Sequence, residues 1–306
     1  MTWQPTADFE TLKLRAALLD RIRAFFKARQ VLAVETPLLA HFTVTDRYIE
    51  SFSIGDAYLQ TSPEYAMKRL LAAGSGPIFQ ISKAFRREES GHQHNPEFSL
   101  LEWYRPGFTH HDLMDEMDAL LMEIANYQKA ERFTYRSLFQ KYCHIDPFTC
   151  DNDTIQQKLV SIATGTFDRD TGLQLLFSEK IEPKLGLNAP TFVYDFPASQ
   201  AALAKIRQEN PPVAERFEVF IQGKEIANGF HELTNAKEQQ QRFKADQIHR
   251  KTHQKMMPDM DSRLIAALKA GLPHCSGVAL GIDRLLMCIA NKKTIAEVVS
   301  FDWDHA

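Results

Sequence analysis

The chain has 306 residues, 44% of them hydrophobic and 25% charged, enough apolar material for one large globular domain or two moderate ones. Its 36 lysines and arginines stand against 39 acidic residues; the formal net charge of −3 gives no polybasic footprint and speaks against binding RNA through general charge. Four cysteines form no CxxC pair, no apolar stretch reaches a membrane span, and the first residues carry no basic-then-apolar leader, so the expectation is a soluble, cytoplasmic protein.

Residues 9–30 place Leu14, Leu18, Ile22 and Phe25 at helical spacing, which predicts a long amphipathic helix. VLAVETP follows as a short strand stopped by Pro37. Residues 58–60 read as a strand, and then Ser62 is a plausible N-cap with Pro63 at the first helical position and Gly74 closing the helix. Segments 77–86 and 98–104 read as paired strands around a polar loop, and Thr109 caps a strong helix. Residues of about 130–190 change character, with short helical patterns and few clear strands, and predict a mainly helical insertion. β-pattern returns at 191–197 and in two strands, 216–221 and 224–231, around Gln222-Gly223. Helices are expected from Ala236 to about Gln254 and from Ser262 to Lys269, followed by a strand running into a helix at 276–290. Hairpins bracketed by helices predict an α+β fold with an antiparallel sheet flanked by helices.

Four segments concentrate residues able to do chemistry. TSPEYAMKRL (61–70) places Glu64 in the first turn of a helix, where the dipole alone would favour a carboxylate. FRREESGHQHNPEFSLLEWY (85–104) offers Arg86 for a phosphate or carboxylate and Glu88 on the same face if the strand continues. Phe98 offers a ring face, and Glu102 and Tyr104 share one side of the returning strand; a charged hairpin tip is the plainer reading of RREE alone. RFEVFIQGKEIANGFHEL (216–233) spaces Glu218, Glu225 and Glu232 evenly; Glu218 and Glu225 facing each other across a hairpin would suit Mg²⁺. SGVALGIDRLLM (276–287) sets Gly277 and Gly281 before Arg284, without a dinucleotide fingerprint. His92, His94, His110 and His111 read as loop or helix-cap residues rather than metal ligands.

Taken together, these segments resemble the three signature motifs of class II aminoacyl-tRNA synthetases. The long helix ending at Pro37 resembles the dimer-forming motif, FRREE…NPEF the second and GVALGIDRL the third. The wording is closest to lysyl-tRNA synthetases, although only about a dozen residues precede the first motif, too few for an anticodon-binding domain. Without that domain the pattern is similar to the family of ligases that join (R)-β-lysine to a lysine of elongation factor P. The resemblance implies one catalytic domain over 1–306, ATP and Mg²⁺ as cofactors, a homodimer, and elongation factor P rather than tRNA as acceptor.

Carried residue by residue, the resemblance gives Arg86 and Arg284 catalytic roles on the phosphates. Arg87, Glu88, Asn95, Phe98, Glu225, Ile226 and Gly281 would complete the ATP site. Ser62, Pro63, Glu64, Glu102, Tyr104, Asn228, Glu232 and Ala279 would bind the amino acid, and Glu218 and Glu225 the metal. Ala279 departs from the glycine usual in lysyl-tRNA synthetases, and its methyl would alter which amino-group placement fits. The alternatives are a lysyl-tRNA synthetase-like enzyme using α-lysine and tRNA, an inactive regulatory paralogue, and a small-molecule amide ligase on the same core.

Overall fold

A computed structural model describes residues 3–306. The chain divides into two compact units, one formed by the residues up to Phe108 together with Thr234–Ala306, the other by Thr109–Leu233.

The first unit opens with α1 (Phe9–Ala28), whose cap Asp8 accepts from the Thr11 amide at 2.6 Å. The helix turns Leu18, Ile22 and Phe25 inward as its spacing predicts, adds Phe26, and leaves Leu14 exposed. Then come β1 (Leu32–Ala33) and a small antiparallel sheet, ordered β2 (Leu39–Ala40), β4 (Ala57–Leu59), β3 (Ser53–Ile54). Helix α2 (Glu64–Ala72) starts one residue later than expected: Pro63 holds the cap position, and the Ser62 hydroxyl accepts from the Glu64 amide at 3.0 Å. The hairpin of β5 (Ile78–Phe85) and β6 (Glu97–Pro106) pairs Ile78 with Tyr104 and Phe85 with Glu97. Trp103 is wholly buried, its ring 5.2 Å from that of Phe26, which stacks on Phe79 at 4.6 Å.

The second unit begins with α3 (His110–Ala125), fixed by a capping box between Thr109 and Asp112. A strand not expected from sequence, β7 (Glu131–Thr134), precedes the helices α4 (Tyr135–Cys143), α5 (Asn152–Leu159) and α6 (Arg169–Leu176). These helices fall in the stretch expected to be helical and pack Tyr135, Phe139, Leu173 and Phe177 against Phe196 and Phe220. Strands β8 (Thr191–Pro197), β9 (Ile206–Arg207), β10 (Val213–Ile221) and β11 (Lys224–His231) follow. β10 lies antiparallel to both β8 and β11. Gln222 and Gly223, at φ 53° and 69°, form the tight turn between β10 and β11, where positive φ at both positions matches the twist of the strands.

Returning to the first unit, the chain forms α7 (Ala236–Thr252), α8 (Ser262–Gly271), β12 (Cys275–Gly281) and α9 (Ile282–Ile289). β12 runs antiparallel to β6 with Ala279 opposite Glu102 and Gly281 opposite Leu100. The expectation of an antiparallel sheet needs one correction. Both edges are parallel, β1 against β5 and β7 against β8, so the α+β fold carries mixed strands. These edge strands are too short to show a readable alternation.

Asp283, in the first turn of α9, is 2% exposed and is fully engaged. Arg15 of α1 donates to its Oδ1 at 2.6 Å, the Ser99 amide of β6 donates to its Oδ2 at 2.7 Å, and Arg15 also reaches the Ser99 hydroxyl at 2.6 Å. Removing one partner of such a buried pair strands the other charge, which costs about 3–5 kcal/mol. Arg15→Ala should therefore lower unfolding stability by about that amount, read from urea denaturation, and Arg15→Ala with Asp283→Asn should recover part of the loss.

Candidate functional site

Each unit carries a group of polar side chains drawn from the sequence-expected residues. In the first, Glu102 projects from β6 and is 2% exposed. Its Oε2 accepts from the Ser62 hydroxyl at 2.7 Å and its Oε1 from the Tyr104 hydroxyl at 2.6 Å. Burial and the charge of Glu64 push the Glu102 carboxyl up to about 7, against the two hydroxyl bonds and Lys68. Glu64 itself accepts from Lys68 at 2.6 Å, a side chain 3% exposed one turn along α2. Lys68 lies in the SPEYAMKRL segment yet went unassigned in the sequence; its helical spacing from Glu64 was the available signal. Ala279, paired with Glu102 across β6 and β12, puts its methyl on the same face of the sheet as that carboxyl.

The loop from Arg86 to Pro96 gathers the phosphate candidates. Arg86 stacks its guanidinium 5.0 Å from the Phe98 ring and donates to Glu89 at 3.1 Å, while its Nε finds no acceptor among the described residues. Arg284, in the first turn of α9, donates to the Gln93 carbonyl at 3.4 Å and touches His94. Burial, and then Arg284, lower the His94 pKa and favour its neutral ring. Gly281 caps α9 from the end of β12, as the motif suggests.

Four residues differ from the simplest reading. Strand β5 ends at Phe85, so Glu88 does not continue its alternation and lies exposed in the loop, as Arg87 does. Asn95 uses both ends of its amide internally, donating to the Glu97 carbonyl at 2.7 Å and accepting from the Trp303 amide at 2.8 Å. Pro63 occupies the helix cap, where its carbonyl accepts from the Met67 amide at 3.0 Å.

In the second unit, Glu218 and Asn228 sit opposite each other on β10 and β11. Glu225 pairs with Phe220 instead, beyond a bulge between Val219 and Phe220, so the two glutamates are diagonal rather than face to face. Their charges still meet. Burial pushes the Glu218 carboxyl up to about 8; Arg216 opposes this, while Glu225 and Glu182 add to it. Arg216 is the organiser that sequence reasoning missed: it contacts Glu218, donates to Asn228 Oδ1 at 3.2 Å and donates to the Gln200 carbonyl at 2.9 Å. Ile226 and Glu232 are buried further along β11 and just past its end.

Glu102 and Glu218 hold protons in the fold that an unfolded chain would already have released. Between about pH 4.5 and pH 7–8 the native state therefore binds more protons, and stability falls as pH rises through that window. Glu102→Gln and Glu218→Gln should each flatten this slope and raise the urea midpoint at pH 8 relative to wild type.

The family described as tRNA synthetases class II (D, K and N) matches residues 4–304. The elongation factor P--(R)-beta-lysine ligase of Vibrio cholerae serotype O1 is 53% identical over 99% of this chain and 98% of its own length. Proteins of the same name from Salmonella paratyphi A and Salmonella dublin are 49% identical over 100% of this chain and 98% of theirs. The chain belongs to the class II tRNA synthetase family of the D, K and N type, within the branch whose curated members are named elongation factor P--(R)-beta-lysine ligase.

Proposed function

We infer that this chain is a ligase that activates (R)-β-lysine with ATP and joins it to a lysine side chain of elongation factor P. The observation that carries this reading is identity of about half the residues over the full length of curated ligases of that name. Retention of the polar residues of all the motifs supports an active enzyme over a regulatory module. A tRNA-charging enzyme is not favoured, since neither the relatives nor the net charge point to it.

The chemistry needs position and charge rather than a side-chain nucleophile. A carboxylate oxygen of the amino acid attacks the α-phosphorus in line, the bond to the bridging oxygen breaks, and pyrophosphate leaves with an acyl-adenylate formed. The acceptor amine then attacks the acyl carbon, and AMP departs as the amide forms. Arg86, with an Nε donor still open, and Arg284 supply fixed positive charge for the phosphates. Phe98 gives the adenine a stacking face already shared with Arg86. Glu102 and Glu64 would take the ammonium groups of the substrate, with Ser62 and Tyr104 holding Glu102 in place. The resemblance also gives Asn228 and Glu232, of the second unit, an amino-acid-binding role.

Glu218 and Glu225, with Glu182 adding charge nearby, form an oxygen-only donor set of the kind Mg²⁺ prefers, and the raised Glu218 carboxyl is a proton site that a cation would replace. Bound there, Mg²⁺ would neutralise phosphate charge. We further propose a cytoplasmic homodimer: Leu14, Leu32, Leu38 and Leu39 leave apolar surface exposed along α1 and its following strands. Light scattering should return twice the chain mass.

Glu225→Ala and Arg284→Ala should lower ATP–pyrophosphate exchange by roughly two to three orders of magnitude with the fold intact. Normal exchange in either variant would place the phosphates elsewhere. Ala279→Gly should shift preference toward α-lysine by no more than the ~1–3 kcal/mol that one methyl commands. The acceptor is tested by offering labelled (R)-β-lysine and ATP with elongation factor P and, separately, tRNA. An alkali-stable label on the protein supports the reading; an alkali-labile label confined to tRNA refutes the acceptor while leaving the activation step standing.

A further inference from the structure

At the start of α3, His110 is 2% exposed, and neither of its ring nitrogens makes a hydrogen bond among the described residues. Every imidazole nitrogen presents either a proton or a lone pair, so a buried ring with both positions unmet asks for a partner. Around it stand Glu215 of β10 and His231 of β11, both buried, with one ligating atom from each of the three residues within 4.8 Å of the others. Asp195 of β8 closes the group, its Oδ1 lying 3.8 Å from His110 Nε2 and accepting no hydrogen bond.

The carboxylates are oriented by a neighbour. Arg207 of β9 takes their outer oxygens, Asp195 Oδ2 at 2.9 Å and Glu215 Oε1 at 3.5 Å. The inner oxygens, Asp195 Oδ1 and Glu215 Oε2, are left facing the two imidazoles, with His231 Nδ1 against Glu215 Oε2. Lys205 lies 3.8 Å from the same Glu215 oxygen on a side chain that is half exposed.

We propose that His110, His231 and Glu215, with Asp195 as fourth ligand, form a structural site for a divalent cation of the zinc class. Two imidazole nitrogens with carboxylate oxygens suit zinc, whereas magnesium and calcium select oxygen alone. Four-coordinate zinc, with bonds of about 2.0–2.1 Å, spaces its ligand atoms roughly 3.4 Å apart. Side-chain rotations would have to draw in the three atoms now within 4.8 Å of one another, and Asp195 Oδ1 with them, to reach that spacing. On binding, His231 releases any proton it shares with Glu215 and the ion's two charges balance the two carboxylates; Lys205 turns to water. Arg207 remains as the outer partner that holds both carboxylates in orientation. Protein side chains fill all four positions, so the ion would tie the first turn of α3 to three strands and leave no place for substrate.

The test uses the full chain stripped with a chelator and then titrated with Co²⁺. One equivalent should produce the intense visible absorption of four-coordinate cobalt, and one equivalent of Zn²⁺ should abolish it. His110→Gln, checked for folding by circular dichroism, should lose the absorption, while Glu225→Gln, in the carboxylate group of β11, should keep it. Zn²⁺ should raise the melting temperature of the wild type and leave that of His110→Gln unchanged. Absence of the cobalt spectrum from the wild-type chain overturns the site without recourse to any variant. So does a spectrum that persists undiminished in His110→Gln.

Discussion

Asp283 places a carboxylate where there is no water to hold it, and the first unit is arranged around meeting that need. A buried charge of this kind is tolerated only when each oxygen is engaged. Arg15 answers one oxygen and the backbone amide of Ser99 the other. Three elements distant in sequence thereby acquire a fixed relation: helix α1, strand β6 and the first turn of α9. The consequence reaches the site through adjacency. Arg284 follows Asp283 directly, and Glu102 lies three residues beyond Ser99 on the same strand. A side chain that touches no phosphate and no amine thus sets the positions from which both would be gripped.

Glu102 and Glu218 follow the opposite logic. Each is buried, yet the groups around it do not offset the loss of water, and each carboxyl is pushed far above its ordinary range. The deficits differ in kind. Glu102 accepts from two hydroxyls, those of Ser62 and Tyr104, which orient its oxygens without neutralising them. Glu218 already has the Arg216 guanidinium, but its burial, with Glu225 and Glu182 adding to it, outweighs what that arginine offers. A group left in this state favours whatever cation restores the balance, a pattern typical of binding sites rather than of structural ion pairs.

Much of this architecture is legible in the order of residues. Helix α1, the capping box at Thr109, the strand 191–197 and the turn at Gln222-Gly223 all follow from local rules, because local backbone chemistry decides them. Motif wording likewise marks Glu64, Glu102, Glu218 and Arg284 as residues of interest. What escapes is partnership. Lys68 and Arg216 look like any surface cation in the sequence, and only tertiary packing turns them into the counter-charges of Glu64 and Glu218. The bulge between Val219 and Phe220 shifts Glu225 off the position that simple alternation assigns it. His110, read as a cap residue, is buried because α3 packs its first turn against strands met almost a hundred residues later.

Selectivity between amino acids that differ in the placement of one amino group would draw on two unequal physical resources at this site. The methyl of Ala279 lies on the same face of the sheet as Glu102, its partner across the strand pair. One methyl in a pocket discriminates by only ~1–3 kcal/mol. An ammonium at Glu102 would add a charge interaction: without it, burial and the charge of Glu64 hold the carboxyl up at about 7 and keep its proton on below that pH. Glu102, almost fully buried, accepts from the hydroxyls of Ser62 and Tyr104, whereas Glu64 accepts from the ammonium of Lys68. Steric contact at Ala279 and charge at Glu102 would therefore act on one face of the sheet, the first independent of pH and the second tied to release of the Glu102 proton.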